Sequence, residues 1–128
     1  MITGIIVSYN QKQLLQQCVE SIRAFYPEMK LIIIDGSPKN SECWKYAKTL
    51  NGRNTIAKVV EYNIGHGDGM KLAIGLCKTK YFALIDSDTI LKSRVFDKMI
   101  KLFDDNVFGV GCVINVDKSG NNAENGIP

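Results

Sequence analysis

The sequence predicts an α/β fold, a three-layer sandwich around a mostly parallel sheet. Two observations lead there. Ile5-Ile6-Val7, Leu31-Ile32-Ile33-Ile34, Val59-Val60 and Phe82-Ala83-Leu84-Ile85 are short continuous runs rich in branched residues. Such runs suit strands buried on both faces, as in a parallel sheet. Between them the apolar period lengthens to three and four residues, the mark of helices with one buried stripe. Strand and helix in alternation imply parallel strands joined by right-handed crossovers.

The first run should be a strand that follows Met1 almost at once. After it, Leu14, Leu15, Cys18, Val19, Ile22 and Phe25 form one stripe. Asn10 is placed to cap that helix, with Gln13 three residues on as its box partner, and Pro27 closes it. The second strand is the run 31–34. A helix from about Ser41 to Leu50 follows, capped by Asn40 or Ser41, with Gly52 beyond its end. After the third strand, a helix starting near Gly69 carries Met70, Ala73, Ile74 and Cys77. The fourth strand leads to a helix from about Ser93, with Val95, Phe96, Met99, Ile100 and Phe103 inward. A fifth strand is expected over Phe108 to Ile114. From Asp117 the chain turns polar and rich in Gly and Asn, with nothing to bury. The expected organisation is therefore one Rossmann-like domain over residues 1–116 and a polar tail over 117–128.

With 128 residues the chain has one domain's worth of length, enough to bury about 65–70% of its unfolded surface without staples. Hydrophobic residues are 45% and charged residues 23%, which excludes a disordered or collagen-like chain. A net charge of +3, with Lys and Arg dispersed and no interleaved aromatics, speaks against nucleic-acid binding. Cys18, Cys43, Cys77 and Cys112 lie 25, 34 and 35 residues apart, so no close pair suggests zinc. Cys18, Cys77 and Cys112 sit in apolar segments and are expected as buried free thiols of a reducing compartment. With neither a basic leader nor a transmembrane segment of ~20 apolar residues in view, the expected location is cytoplasmic, free or peripheral to a membrane.

In open parallel sheets, ligands bind beyond the carboxyl ends of the strands, where strand order reverses. The residues to watch are thus Ser8-Tyr9-Asn10, Asp35-Gly36-Ser37, Asn63-Ile64-Gly65 and Asp86-Ser87-Asp88. Two carboxylates one residue apart at a strand mouth repel, and a hard divalent cation with oxygen ligands relieves the repulsion. The bland alternative for Asp86 and Asp88 is an ordinary turn leading into the next helix. Asp35 can accept hydrogen bonds from a ribose hydroxyl or a base N–H, or it can form an Asx turn to the backbone of Ser37. Gly65-His66-Gly67-Asp68-Gly69 lets backbone amides approach a phosphate at a helix N-terminus. It fails the dinucleotide fingerprint, because Met70 stands where the third Gly belongs. His66 and Lys71 are individually uninformative, the one a loop residue and the other equally a solvated helix residue.

In combination these elements resemble the donor-binding half of a family 2 glycosyltransferase with the GT-A fold. The resemblance covers about residues 2–105 and rests on the order and spacing of its pieces. They are Ile-Val-Ser-Tyr-Asn at 6–10, the Leu14…Cys18…Ser21-Ile22 helix, Leu-Ile-Ile-Ile-Asp-Gly-Ser at 31–37, Asn63-Ile64-Gly65, and Tyr81 to Asp88. The resemblance implies that Ser8, Tyr9 and Asp35 line a base and ribose pocket, joined by Asn10, Ser37, Gly65, Lys71 and Ser87. It implies that Asp86 contacts ribose or metal, and that Asp88 holds a Mn²⁺ or Mg²⁺ bridging the diphosphate. The donor would be a nucleoside-diphosphate sugar, with uridine the commonest base, and the acceptor a carbohydrate, lipid or protein.

Two departures stand out. Lys71 occupies a position where that family usually has Asn. The inverting members also take their general base from a second half, yet only 40 residues follow Asp88, 12 of them in the polar tail. Asp97, Asp104, Asp105 and Asp117 are the acidic candidates there, and none is a convincing base. Two other readings follow: a module that binds a donor without transferring it, and a haloacid-dehalogenase-like phosphatase. The latter prefers Thr or Val two residues after the second Asp of D-x-D, where this chain has Ile90.

Overall fold

The computed structural model describes residues 1–112. Four strands and four helices alternate: β1 (Ile2–Ser8), α1 (Lys12–Phe25), β2 (Lys30–Asp35), α2 (Glu42–Leu50), β3 (Thr55–Val59), α3 (His66–Leu76), β4 (Tyr81–Asp86) and α4 (Val95–Ile100). The sheet is all parallel in the order β3-β2-β1-β4. Two compact units divide the chain, one of Met1–Arg94 and one beginning at Val95. The sheet and everything discussed as a site lie in the first.

The connections explain the layers. From β1 through β2 to β3 the chain steps in one direction, so right-handed crossovers place α1 and α2 on one face. From β3 it returns past both to β4, which places α3 on the other. Ile5 and Val7 of β1, with Ile32 and Ile34 of β2, meet Met70, Ala73, Leu72 and Leu76 of α3. The alternate residues Ile6, Ile33 and Ile85 face α1 and α2 and are almost fully buried. Gly4 shares that face, where a Cβ would lie 2.7 Å from the Leu31 side chain. At the far end of the sheet, the Arg23 guanidinium donates to the carbonyls of Met29 (2.5 Å) and Tyr26 (3.2 Å) and to Thr55 Oγ1 (2.8 Å). It thereby ties the end of α1 to the strands it feeds.

Several boundaries differ from expectation for identifiable reasons. The N-cap of α1 is Gln11, with no side-chain cap bond, because Asn10 turns left-handed at φ 51°. Ser41 caps α2 as expected, its Oγ accepting from the Trp44 amide. α3 begins at His66, three residues before the expected start, with Gly65 at φ 84° turning the chain into it. The glycine run is thus the first turn of the helix. Gly69 lies against β1, where a Cβ would meet Val7 at 2.7 Å.

β3 and β4, as edge strands, alternate between exposed positions and partly buried ones, with Ile85 alone fully buried, and are not buried on both faces. Over residues 108–112 no strand forms, and the rest of the expected fifth strand lies outside the described residues, as does the expected tail. Cys18 is buried as expected, but Cys77 is half-buried and Cys112 exposed, whereas Cys43 is buried. No helix among the described residues is long and apolar enough to cross a membrane.

Candidate functional site

Strand order reverses between β1 and β4, which leave the sheet side by side with Val7 opposite Asp86. Just beyond their carboxyl ends lies a cleft of about 210 Å³, lined by Val7, Ser8, Tyr9, Asn63, Ile64, Gly65, His66 and Ser87. Three segments converge there: the end of β1, the turn into α3, and the turn after β4. Glu61, on the approach to that turn, holds φ 63°, a conformation that costs a non-glycine residue about 1–2 kcal/mol. Gly36 admits the same segment, since a Cβ there would lie 2.4 Å from the Tyr62 carbonyl oxygen. A second, larger groove of about 620 Å³ opens between the starts of α1 and α2, with Asn10, Gln11, Lys12, Gln16, Glu42 and Cys43 among its walls.

Beneath the cleft floor sits Asp35, with no solvent exposure. Its Oδ1 accepts from the hydroxyls of Ser8 (2.8 Å) and Ser37 (2.7 Å) and from the Cys43 thiol (3.3 Å). Its Oδ2 accepts from the Ser37 amide at 3.3 Å, closing the Asx turn anticipated from the Asp-Gly-Ser order. The Ser37 hydroxyl in turn accepts from the Asn10 amide at 2.8 Å. A buried carboxylate needs such donors, because an unpaired one would be strongly penalised. The network binds the ends of β1 and β2 and the start of α2 into one piece. Burial pushes the Cys43 thiol upward, the Ser37 hydroxyl opposes this, and the charge of Asp35 adds to the rise.

The turn after β4 is different in kind. Asp86 and Asp88 are exposed, Ser87 is half-buried in the cleft wall, and the Thr89 amide donates to the Asp86 carbonyl at 3.0 Å. Cys18 of α1 lies under this turn, its thiol donating to the same carbonyl at 3.6 Å. Burial pushes the Cys18 pKa up to about 12, helped by the negative charges of Asp88 and Asp86 and opposed by the Thr89 amide.

Ser8, Tyr9, Gly65 and Ser87, all expected site residues, come together in the cleft wall. Asn10 belongs to the neighbouring groove, Asp35 and Ser37 are buried under both, and Asp86 and Asp88 flank Ser87 on the surface. Lys71 is exposed in the second turn of α3 and is not in the cleft wall. Ile64, Asn63 and His66 complete the wall. The Asn-Ile-Gly triplet was visible in the sequence, but the early start of α3 that turns His66 into the cleft was not. No signal marked Cys43 as a partner of Asp35.

Among the described residues, no three His, Cys, Asp or Glu side chains group to hold a metal. Asp86 and Asp88 are two hard oxygen donors on one exposed turn. Mg²⁺ and Mn²⁺ sites commonly use one or two carboxylates and complete their shell with phosphate oxygens and water. The donor set therefore fits a cation that arrives with a diphosphate and does not fit a cage built by protein alone.

A family model described as Glycosyl transferase family 2 matches residues 3–127. The chain belongs to that family. Among curated relatives, this glycosyltransferase domain is 24% identical over 110 residues to an uncharacterised glycosyltransferase of Haemophilus influenzae, covering 83% of this chain and 33% of that one. A similar relative from Methanocaldococcus jannaschii is 23% identical over 110 residues, covering 83% and 38%. The domain thus spans about a third of the length of the relatives it matches. Its fold is similar to that of a mannosyltransferase from Pyrobaculum calidifontis solved with GDP-Man and Mn²⁺, with a TM-score of 0.69 at 18% identity over 83% of this chain and 33% of that one. It is also similar to TarS from S. aureus in complex with UDP-GlcNAc, with a TM-score of 0.65 at 16% identity over 78% and 30%. These likenesses establish the GT-A-like fold.

Proposed function

We propose that this domain binds a nucleoside-diphosphate sugar, most simply a uridine diphosphate sugar, in the cleft at the β1–β4 switch, as the donor side of a glycosyl transfer. The observation that carries the reading is the convergence of Ser8 and Tyr9, the Asn63–His66 turn and Ser87 on one cleft at the point of strand reversal. At about 210 Å³ the cleft is smaller than the roughly 300–1,000 Å³ of a site that encloses a whole ligand. It suits the nucleoside, with the diphosphate emerging toward the turn after β4. Tyr9, 44% exposed, offers a ring on which a base can stack. Ser8 fixes the floor through Asp35, which acts by holding Ser8 and Ser37 in place.

Asp86 and Asp88 would hold Mn²⁺ or Mg²⁺. Such a cation neutralises charge developing on a departing diphosphate, a contribution of several kcal/mol. Structural neighbours that bind UDP-GlcNAc, or GDP-Man with Mn²⁺, support the donor class. An acceptor hydroxyl must lose its proton to a base within ~3 Å. The acidic residues that follow Asp88 do not supply an evident one, so we propose donor binding without appreciable transfer by these 128 residues alone.

Titration calorimetry with UDP and with GDP, each with and without Mn²⁺, tests the reading. UDP should bind, Mn²⁺ should tighten it at least about tenfold, or about 1.4 kcal/mol, and Asp88→Ala should remove that gain. Equal affinity with and without Mn²⁺ would dismiss the metal assignment, and no binding of either nucleotide would dismiss the donor site.

A further inference from the structure

The turn that carries Asp86 and Asp88 is secured from below by one helix. Two residues of α1, a single turn apart, reach its two ends. The Cys18 thiol donates to the Asp86 carbonyl at 3.6 Å, and the Ser21 hydroxyl accepts from the Leu91 amide at 2.9 Å. Ser21 also donates to the Cys18 carbonyl at 2.8 Å, so its oxygen is oriented by its own helix. Cys18 has no solvent exposure and Leu91 only 8%, so both ends of the turn are anchored in the interior while the carboxylates of Asp86 and Asp88 stand in solvent. Within the turn, the Thr89 amide closes on the Asp86 carbonyl that Cys18 also holds.

We infer that Cys18 and Ser21 are positioning residues, which hold the turn from Asp86 to Leu91 at a fixed spacing so that Asp86 and Asp88 are presented together to a cation and diphosphate. This rests on the donor-site reading above. Two like charges on a short turn drift apart when unrestrained, and a ligand that needs both must then order the turn at its own expense. Anchoring both ends against a rigid helix moves that cost into folding. Neither Cys18 nor Ser21 is among the residues that line the cleft.

The test uses the 128-residue chain and the variants Ser21→Ala, Ser21→Thr, Cys18→Ala and Cys18→Ser. Amide hydrogen exchange followed by NMR reads the turn directly, without ligand. Calorimetry with UDP, with and without Mn²⁺, reads its consequence. Ser21→Ala should speed exchange of the Leu91 amide about tenfold, because a part-buried N–H loses its acceptor. It should cut the Mn²⁺-dependent gain in UDP affinity by a factor of about 5–10 and leave metal-free UDP affinity within twofold. Ser21→Thr, which keeps the hydroxyl, should restore both readings, and Cys18→Ser should do better than Cys18→Ala.

Unchanged Leu91 exchange in Ser21→Ala would overturn the clamp whatever the nucleotide does. Faster exchange with a full Mn²⁺ gain would overturn its role in presenting the carboxylates. An equal loss of UDP affinity with and without metal would also overturn that role, since it would report general damage to the fold. If the unmutated chain shows no Mn²⁺-dependent binding while Leu91 exchange still responds to Ser21→Ala, the donor-site reading has failed, and the positioning role falls with it although the clamp stands.

Discussion

The two faces of the sheet are built from the same strands and end in different states. On the side of α1 and α2, Ile6, Ile33 and Ile85 are 0%, 0% and 4% exposed, so burial extends from the centre to the β4 edge. On the side of α3, Ile5 and Ile34 are as deeply buried, but Ile56 of β3 is 47% exposed and Phe82 and Leu84 of β4 are 43% and 56% exposed. Neighbouring residues of one strand, Leu84 and Ile85, thus meet opposite fates. Two helices span four strands and one helix does not. Both faces bury the centre of the sheet, but only the face of α1 and α2 carries burial out to the β4 edge, while the other leaves room for the cleft between β1, β4 and the start of α3.

The contrast can be broken most forcefully at the covered face. Ile33→Ala should destabilise the domain by about 2–5 kcal/mol, the cost of a cavity in a packed interior, while Leu84→Ala should cost under about 1 kcal/mol. Urea unfolding of the two variants checks this, and similar losses would erase the distinction. Next in size is Asp35→Ala, which leaves the hydroxyls of Ser8 and Ser37 and the Cys43 thiol without their shared acceptor. It should cost about 1–3 kcal/mol in the same assay and weaken UDP binding as well.

A smaller effect is expected at the exposed turn. Asp88→Ala should change stability by no more than about 0.5 kcal/mol while abolishing the Mn²⁺-dependent gain in nucleotide affinity. The subtlest expected difference concerns pH. Cys18 has a folded pKa near 12, above the 9.0 of a free thiol, so the native state holds its proton more tightly than the unfolded state does. Its contribution to stability is complete below pH 9 and is lost as pH rises toward 12. The unfolding temperature should therefore fall more steeply above pH 9 in the parent chain than in Cys18→Ala.

Much of this was legible in the residues. The continuous runs at 5–7 and 31–34 became the central strands because a parallel sheet buries its middle on both sides, and unbroken apolar sequence is what that requires. The same pattern at 82–85 misled, since a four-residue apolar run looks alike in a covered strand and in an edge strand with one open face. Local alternation cannot report how many helices will cover a sheet. The Asp35 turn followed from Asp-Gly-Ser order alone, but its burial and its tie to Cys43 depend on α2 folding back, a contact between elements that no spacing records. α3 started early because Gly65 could take φ 84°, whereas the apolar residues used to place the helix begin only at Met70. The clamp from Cys18 and Ser21 was hidden for the same reason: its partners are separated by 68 and 70 residues.

On the proposed reading, ligand binds at the β1–β4 switch and not in the larger groove between α1 and α2. An NMR titration of the chain with UDP in the presence of Mg²⁺ tests it most directly. Amide shifts should concentrate at Ser8, Tyr9, Gly65, His66 and Ser87, with little change at Gln13, Gln16 and Glu42. Shifts centred on the latter group, with the switch residues unmoved, would contradict it.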